Sequence, residues 1–206
     1  MWLRPSIRAT RERQKRTAEF VIPCQAILSQ RAPSGPEWIH EIKHDGYRLI
    51  AAKRGGMVRL WTRQATDYTA KFLAIAEAVR ALPVDECMID GEAVAFNADT
   101  YDFHALRSAA GQQSASLIGF DLLDFNGEDM RARPVEDRRA VLADLLDGCP
   151  PGLAFSVEIP GDGPEVFARA CVMGLEGIVS KRRGSRYRSG RLPDWLKTKH
   201  PAFERP

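Results

Sequence analysis

The chain has 206 residues, 44% of them hydrophobic, which is enough for one large domain with a real core. Its formal net charge of +3 permits binding to polyanions without requiring it. The four cysteines are widely scattered and form no CxxC pair, which excludes a disulfide scaffold and argues against a structural zinc site. We expect free thiols in a reducing cytoplasm. We expect no membrane span or signal peptide, since no apolar run is long enough.

The first 18 residues are polar, basic and aperiodic. They are predicted to form a basic arm, either disordered or a short helix, that contacts phosphates without reading base sequence. Residues 19–206 are predicted to form the folded domain.

Strand-like and helix-like patterns alternate irregularly along this domain. An extended segment packed on the domain is predicted at residues 20–28, and strands at 38–43, 47–54, 57–62, 87–96, 117–125, 153–159, 176–181 and 195–199. A hairpin at Gly55-Gly56 joins 47–54 to 57–62. Helices are predicted at residues 67–82, capped by Asp67 or Thr69, and at 102–110, 135–146 and 164–174, with Gly111 ending the second. This order indicates an α+β domain of antiparallel sheets flanked by helices, not a βαβ repeat.

Lys43 is the candidate nucleophile. It lies at the end of a predicted strand in Lys43-His44-Asp45-Gly46, and Arg48 follows two residues later. A lysine amine attacks an electrophile only when it is neutral, and desolvation or neighbouring cations favour that form by lowering its pKa. A lone strand-end lysine is more often simply solvated, so the assignment depends on the rest of the sequence.

Further short motifs follow in order. They are Trp61-Thr62-Arg63, Asp90-Gly91-Glu92, Phe120-Asp121-Leu122-Leu123, Glu176-Gly177-Ile178-Val179-Ser180-Lys181, Tyr187-Arg188-Ser189-Gly190-Arg191 and Trp195-Leu196-Lys197-Thr198-Lys199. The series resembles the covalent nucleotidyltransferase superfamily of DNA ligases, RNA ligases and capping enzymes. It is most similar to ATP-dependent DNA ligases, above all to the ligase module of bacterial end-joining ligases. The resemblance covers roughly residues 20–200 and implies an adenylation domain with an ATP-grasp-like nucleotidyltransferase fold.

The resemblance implies that Lys43 attacks the α-phosphate of ATP and becomes a lysyl-AMP phosphoramidate. It assigns to Lys197 and Lys199 the neutralisation of the phosphate and a lowering of the pKa of Lys43. Glu92 and Glu176 are expected to hold Mg²⁺ or Mn²⁺, since such ions take carboxylate oxygens and substrate phosphates. Taken singly, either glutamate could instead belong to a surface ion pair.

The other nucleotide contacts are implied in the same way. Phe120 is expected to stack on adenine, although its apolar strand also makes it a candidate for the core. Glu41 is expected to read the adenine amine. Arg48 and Arg63 are expected to contact the ribose and the phosphate of AMP or of the nick, and Lys181 points to the same pocket.

The AMP is then expected to pass to the 5′-phosphate of a DNA nick, where the 3′-hydroxyl displaces it and seals the strand during repair and recombination. Nicked or broken duplex DNA would be held through its backbone. The basic cluster suited to this contact consists of Arg182, Arg183, Arg186, Arg188 and Arg191. We expect a monomer, located with the nucleoid of a bacterial cytoplasm.

Ligases of this family normally carry a C-terminal OB-fold, and none is predicted between Lys199 and Pro206. The sequence therefore suggests a bare adenylation domain, which works as a minimal ligase, works with a partner protein that supplies the OB-fold or the end-joining function, or is one piece of a longer protein. Two alternatives stay open. One is an RNA-ligase-type nucleotidyltransferase, and the other is a non-catalytic accessory protein that binds ATP or broken DNA.

Overall fold

The computed structural model describes residues 20–97 and 100–203. In this part of the chain the strands are β1 (Cys24–Leu28), β2 (Trp38–Ile42), β3 (Tyr47–Arg54), β4 (Met57–Thr62), β5 (Glu86–Val94), β6 (Phe96–Asn97), β7 (Thr100–Tyr101), β8 (Ser116–Phe125), β9 (Glu128–Asp129), β10 (Leu153–Phe155), β11 (Gly177–Arg182) and β12 (Gly190–Lys199). The helices are α1 (Leu73–Ala81), α2 (Ala109–Gln113), α3 (Val135–Leu146) and α4 (Gly163–Val172). Single 3-10 turns occupy Ala105–Arg107 and Met130–Ala132. The predicted arm, residues 1–18, lies outside the described residues.

Two sheets form the body of the fold. The four-stranded sheet has the order β1-β12-β11-β2, and the six-stranded sheet has the order β10-β8-β5-β3-β4, with β9 paired to β8. The α+β prediction is confirmed. The pairing is antiparallel except at one edge of each sheet, where β1 joins β12 and β10 joins β8 in parallel.

The inner faces of the two sheets enclose one apolar core. Ile39 comes from the four-stranded sheet, as does Trp195, whereas Ile50, Met88 and Leu123 come from the six-stranded sheet. Each such side chain contributes about 1.5–3 kcal/mol when it is fully buried. This core fixes the position of one sheet against the other.

The helices cover the outer faces. α1 and the C-terminal half of α3 pack on the six-stranded sheet, with Ile75, Val79 and Leu142 in a second core. α4 packs on the four-stranded sheet, with Val166 against Ile178. None of these helices, which are those of the described residues, is long and apolar enough to cross a membrane. The four cysteines are free thiols, as expected.

The chain crosses from one sheet to the other at the candidate nucleophile. β2 belongs to the four-stranded sheet and β3 to the six-stranded sheet, so residues 43–46 bridge them. Gly46 packs directly on β5, because a Cβ atom there would lie 2.0 Å from the carbonyl oxygen of Ala93. The short Lys-to-Arg spacing therefore places Lys43 and Arg48 at the junction of the two sheets.

The helix predicted at residues 67–82 begins only at Leu73, and neither predicted cap is used. Asp67 instead accepts hydrogen bonds from the backbone N–H and the hydroxyl of Thr69. The N–H of Tyr68 donates to the carbonyl of Leu60, which ties this segment to β4. The polar groups that suggested a cap form a turn.

Other boundaries also differ from the prediction, and three of them show the physical reason. Gly111 does not end a helix but lies inside α2, where its N–H donates to the capping hydroxyl of Ser108. β10 stops at Phe155, because the N–H of Ile159 donates to His40 in the other sheet. β12 begins already at Gly190, where it pairs with β1.

Candidate active site

A cavity of about 510 Å³ opens where the two sheets meet. This volume suits a small-molecule ligand. Its lining contains most of the predicted site residues: Glu41, Lys43, Arg48, Arg63, Glu92, Phe120, Lys181 and Lys197. The remaining two, Glu176 and Lys199, lie outside the lining. Glu176 forms an ion pair with Lys43 of the lining, and Lys199 forms one with Glu176.

The ammonium group of Lys43 forms an ion pair with Glu176, whose other oxygen lies 2.7 Å from Nζ of Lys199. The Glu176 side chain is 4% exposed, and that of Lys43 is 20% exposed. Burial alone would raise the pKa of Glu176, but the hydrogen bonds and charges of the two lysines outweigh it and lower that pKa. The carboxylate thus holds the candidate nucleophile at the edge of the cavity.

Lys197 adds a third cation to this group. Burial lowers its pKa, and the charges of Lys43 and Lys199 lower it further. Lys197 and Lys199 are two residues apart on β12, and the backbone N–H of Lys43 donates to Gly177 of the neighbouring strand β11. Three lysines around one glutamate leave an excess of positive charge, which suits a bound phosphate.

Glu41 is 2% exposed and accepts hydrogen bonds on both oxygens. Its Oε1 lies 2.7 Å from Nη1 of Arg139 and 2.6 Å from Nζ of Lys181. Its Oε2 accepts from the hydroxyl of Ser156 at 2.9 Å. Lys181 also donates to the carbonyl of Phe120, so this network connects Glu41 to the aromatic wall.

Arg48 is held by Asp90 through two parallel hydrogen bonds of 2.9 and 2.7 Å. Asp90 is fully buried, and it also accepts from the hydroxyl of Tyr187 at 2.6 Å. A bidentate arginine–carboxylate pair fixes orientation as well as position. The guanidinium of Arg48 lies 5.1 Å from the ring centre of Phe120, and both residues line the cavity.

Phe120 lines the cavity and also packs against the core between the sheets. Its ring meets that of Trp195 edge to face at 6.3 Å. The two interpretations of this residue, adenine platform and core residue, are therefore compatible. Val179 lines the same cavity from the four-stranded sheet and was not singled out from the sequence.

Glu92 is the carboxylate that best fits a divalent cation. Burial raises its pKa to about 7, even though Arg48 and Lys43 act in the opposite direction. The described residues contain no cluster of three potential metal ligands. Mg²⁺ does not need one, because it commonly binds one or two carboxylates together with water and substrate phosphates. Both oxygens of Glu176 contact lysines, so Glu176 fits this role less well.

The loop between β11 and β12 presents several arginines to solvent. We call residues 182–191 the basic loop; its exposed arginines are Arg182, Arg183, Arg186, Arg188 and Arg191. Arg183 pairs with Glu158 on the surface. Tyr187 points inward between two exposed arginines and anchors the loop on Asp90.

The main residues that the sequence analysis missed are Arg139 and Ser156, which hold Glu41 from behind. Arg139 follows Val135 by four residues and precedes Leu142 by three, so it falls on the buried stripe of α3. An arginine on an apolar stripe is a signal that could have found it, because a buried arginine requires a partner.

Comparison with known proteins identifies the family. A family model described as ATP dependent DNA ligase domain matches residues 18–199. The multifunctional non-homologous end joining protein LigD of Pseudomonas aeruginosa is 39% identical over 186 residues, covering 88% of this chain and 22% of that protein. A probable DNA ligase of Sorangium cellulosum is 31% identical, covering 90% of this chain and 39% of that protein. The chain thus spans less than half of these relatives.

Solved structures agree. The ligase domain of Mycobacterium tuberculosis LigD superposes with a TM-score of 0.79 at 32% identity, over 87% of this chain and 59% of that chain. A mycobacterial DNA ligase D complexed with ATP and MES gives a TM-score of 0.77 at 31% identity, covering 87% of this chain and 60% of that chain. The chain belongs to the family of ATP-dependent DNA ligase domains.

Proposed function

We propose that this domain transfers AMP from ATP to the Nζ atom of Lys43 and from there to the 5′-phosphate of a DNA nick. The observation that carries the proposal is the placement of Lys43. Its amine is bound to Glu176 within a group of three lysines, at the edge of a cavity large enough for a nucleotide. Membership in an ATP-dependent ligase family supplies the substrate.

In the first step a bond forms between Nζ of Lys43 and the α-phosphorus, and the bond from that phosphorus to pyrophosphate breaks. The ammonium group must first lose a proton, which passes to water at the cavity edge, while Glu176 holds the amine in place through their ion pair. Lys197 and Lys199 stabilise the negative charge that develops on the phosphate. The 5′-phosphate oxygen of the nick then displaces Lys43, and the 3′-hydroxyl finally displaces AMP.

The nucleotide would be held by the other cavity residues. Phe120 offers its ring to adenine, and Glu41 offers a carboxylate oxygen to the adenine amine. Arg48 is oriented by Asp90 toward the ribose and phosphate, and Arg63 and Lys181 supply further positive charge.

We propose Mg²⁺ or Mn²⁺ as the metal; Glu92, whose side chain lines the cavity, would be its protein ligand, and substrate phosphates with water would be the others. An ion held there would supply a positive charge that draws electron density from the phosphate. Glu176 can join only when it releases one of its lysines.

The DNA partner would be a nicked or broken duplex held by the exposed arginines of the basic loop and by the arm at residues 1–18. Because relatives are named end-joining proteins, we propose that the domain acts in the end joining of DNA breaks. It would act in the bacterial cytoplasm at the nucleoid, as a monomeric unit with an OB-fold and end-joining functions supplied by other domains or by a partner protein.

The test is intact-mass spectrometry after incubation with ATP and Mg²⁺. The wild type is expected to gain the mass of one AMP, and Lys43→Arg is expected to gain none, since arginine keeps the charge but is not a nucleophile. Lys53→Arg, which alters a lysine bound to carbonyls at the end of α1, is the matched control and should still be labelled.

A wild type that stays unlabelled while it binds DNA would favour the non-catalytic alternative. Nick sealing with ATP, and sealing of a pre-adenylylated nick, then show how many steps this domain completes. Parallel nicks with RNA strands separate DNA ligation from the RNA-ligase alternative.

A further inference from the structure

The donors that residues 20–97 and 100–203 direct at the Glu41 carboxylate leave one of its acceptor positions for a ligand. An ionised carboxylate offers about four lone-pair positions to hydrogen-bond donors. Oε1 already accepts from Arg139 and Lys181, and Oε2 accepts from Ser156. An ionised carboxylate only accepts hydrogen bonds, so the remaining position, which is on Oε2, can take a hydrogen-bond donor of the ligand. Glu41 lines the cavity, whereas Arg139 and Ser156 lie behind it and outside the lining.

Arg139 is itself locked in place. Its Nη2 donates to the carbonyl of Ser156 at 2.8 Å while its Nη1 binds Glu41, and its side chain is 5% exposed. Its guanidinium lies 4.8 Å from the ring centre of Phe155. One planar group therefore fixes both the Glu41 carboxylate and the backbone that carries Ser156.

We propose that Arg139 is a positioning residue that sets the base specificity of the nucleotide cavity. It holds Glu41 so that one carboxylate acceptor faces the base, which selects a purine with an amino group at position 6. Guanine and hypoxanthine present a carbonyl oxygen there, and two acceptors repel each other. This inference rests on the proposed function, since it concerns the base of the nucleotide that Lys43 attacks.

The experiment compares ATP with the triphosphate of purine riboside, which lacks any group at position 6. The rate of covalent labelling of the full chain is measured against the concentration of each nucleotide. For the wild type, the efficiency with ATP is expected to exceed that with the purine analogue by about 10-fold to 100-fold, the usual effect of one hydrogen bond to a charged group. GTP and ITP should be poorer still.

Arg139→Met keeps an unbranched side chain in the same place but lacks the guanidinium that lies over Phe155, so it removes every donor. We expect its ATP efficiency to fall about tenfold or more, with little change for the purine analogue, so that their ratio approaches one. Arg139→Lys keeps the buried charge and should recover part of the ratio. Arg133→Met is the matched control, because Arg133 precedes α3 and pairs with Glu128 on the surface.

The ratio of the labelling efficiency with ATP to that with the purine analogue distinguishes a loss of base specificity from a general loss of structure. An Arg139→Met protein that loses both nucleotides equally, or keeps the wild-type ratio, overturns the proposal. If that variant does not fold, Arg139→Lys and Ser156→Ala test the same prediction, since each should lower the ratio. Calorimetric binding of AMP and of purine riboside monophosphate measures the ratio without the covalent step. A wild type that is never labelled would therefore refute the proposed function and still leave this test complete.

Discussion

His44 carries a neutral ring next to the charged groups of the site. Burial is the main reason that its pKa falls to about 4, and the charges of Lys181 and Lys43 add to it, while Glu41 acts in the opposite direction. Its Nε2 lies 3.2 Å from the hydroxyl of Ser156, which donates to Glu41. Nε2 must therefore be the donor in this contact, and His44 supports the network that holds Glu41.

This pKa predicts a pH dependence of stability. Above pH 6.5 the histidine is neutral in both the folded and the unfolded chain. Between pH 6.5 and about 4 the unfolded chain binds a proton that the folded chain does not, so stability falls as the pH decreases. In His44→Gln this component, at most about 3 kcal/mol, is absent. Urea unfolding across this range should give a shallower decline for His44→Gln than for the wild type.

The exposed His104 provides the control, because His104→Gln removes a histidine of the same kind from the surface. A decline in His44→Gln as steep as that of the wild type would show that His44 does not carry this pH dependence.

Single residues also show which parts of the candidate site can be predicted from the sequence. Lys43 and the nearby Arg48 come from one stretch of the sequence and Glu92 from another, and all three line one cavity. The groups that hold Glu41 were not predicted: Arg139 is 98 residues from it and Ser156 is 115 residues from it. A motif gives residue types along the chain, but a buried polar partner depends on the packing of distant elements.

The basic loop is the element that connects the surface to the site. The N–H of Gly184 donates to Glu136, and the carbonyl of Ser185 accepts from Arg138. Tyr187 donates its hydroxyl hydrogen to Asp90 and accepts from the N–H of Cys24. The carboxylate that orients an arginine of the cavity therefore also fixes the loop that carries the exposed arginines.

Removing the Tyr187 hydroxyl should destabilise the fold. Tyr187→Phe leaves the N–H of Cys24 buried without its acceptor and takes one donor from Asp90, so we expect a loss of about 1–3 kcal/mol in the free energy of unfolding. Urea titration measures it. Tyr68→Phe, in a ring that packs against Tyr47 outside this network, is the control and should lose less. Equal losses in both variants would contradict the assignment.

The ends of helices and strands were predicted correctly where nearby residues determine them. They were missed where pairing with a distant strand determines them. α3 has the predicted bounds, because its apolar spacing and Pro134 define it locally. The start of β12 at Gly190 depends on a parallel pairing with β1, more than 160 residues earlier in the chain, which no local pattern contains.

At the scale of the whole molecule, the candidate site lies where the two sheets meet. The fold class followed from the order of elements, but the sequence did not show that the motif of the candidate nucleophile is also the crossing between the sheets. Lys43 belongs to one side of the junction and Arg48 to the other. The distance between amine and guanidinium is therefore set by the packing of residues 43–46 on β5.

Gly46→Ala tests this packing. Its new Cβ would lie 2.0 Å from the carbonyl oxygen of Ala93, so the crossing segment must move away from β5. We expect a loss of about 1–3 kcal/mol in stability from overpacking. Labelling of Lys43 by ATP should slow by about a hundredfold, because a displacement near 1 Å misaligns the nucleophile. Gly56→Ala, with no atom within 4 Å of the new methyl group, should change neither. A Gly46→Ala protein labelled at the wild-type rate would show that the crossing does not position the amine.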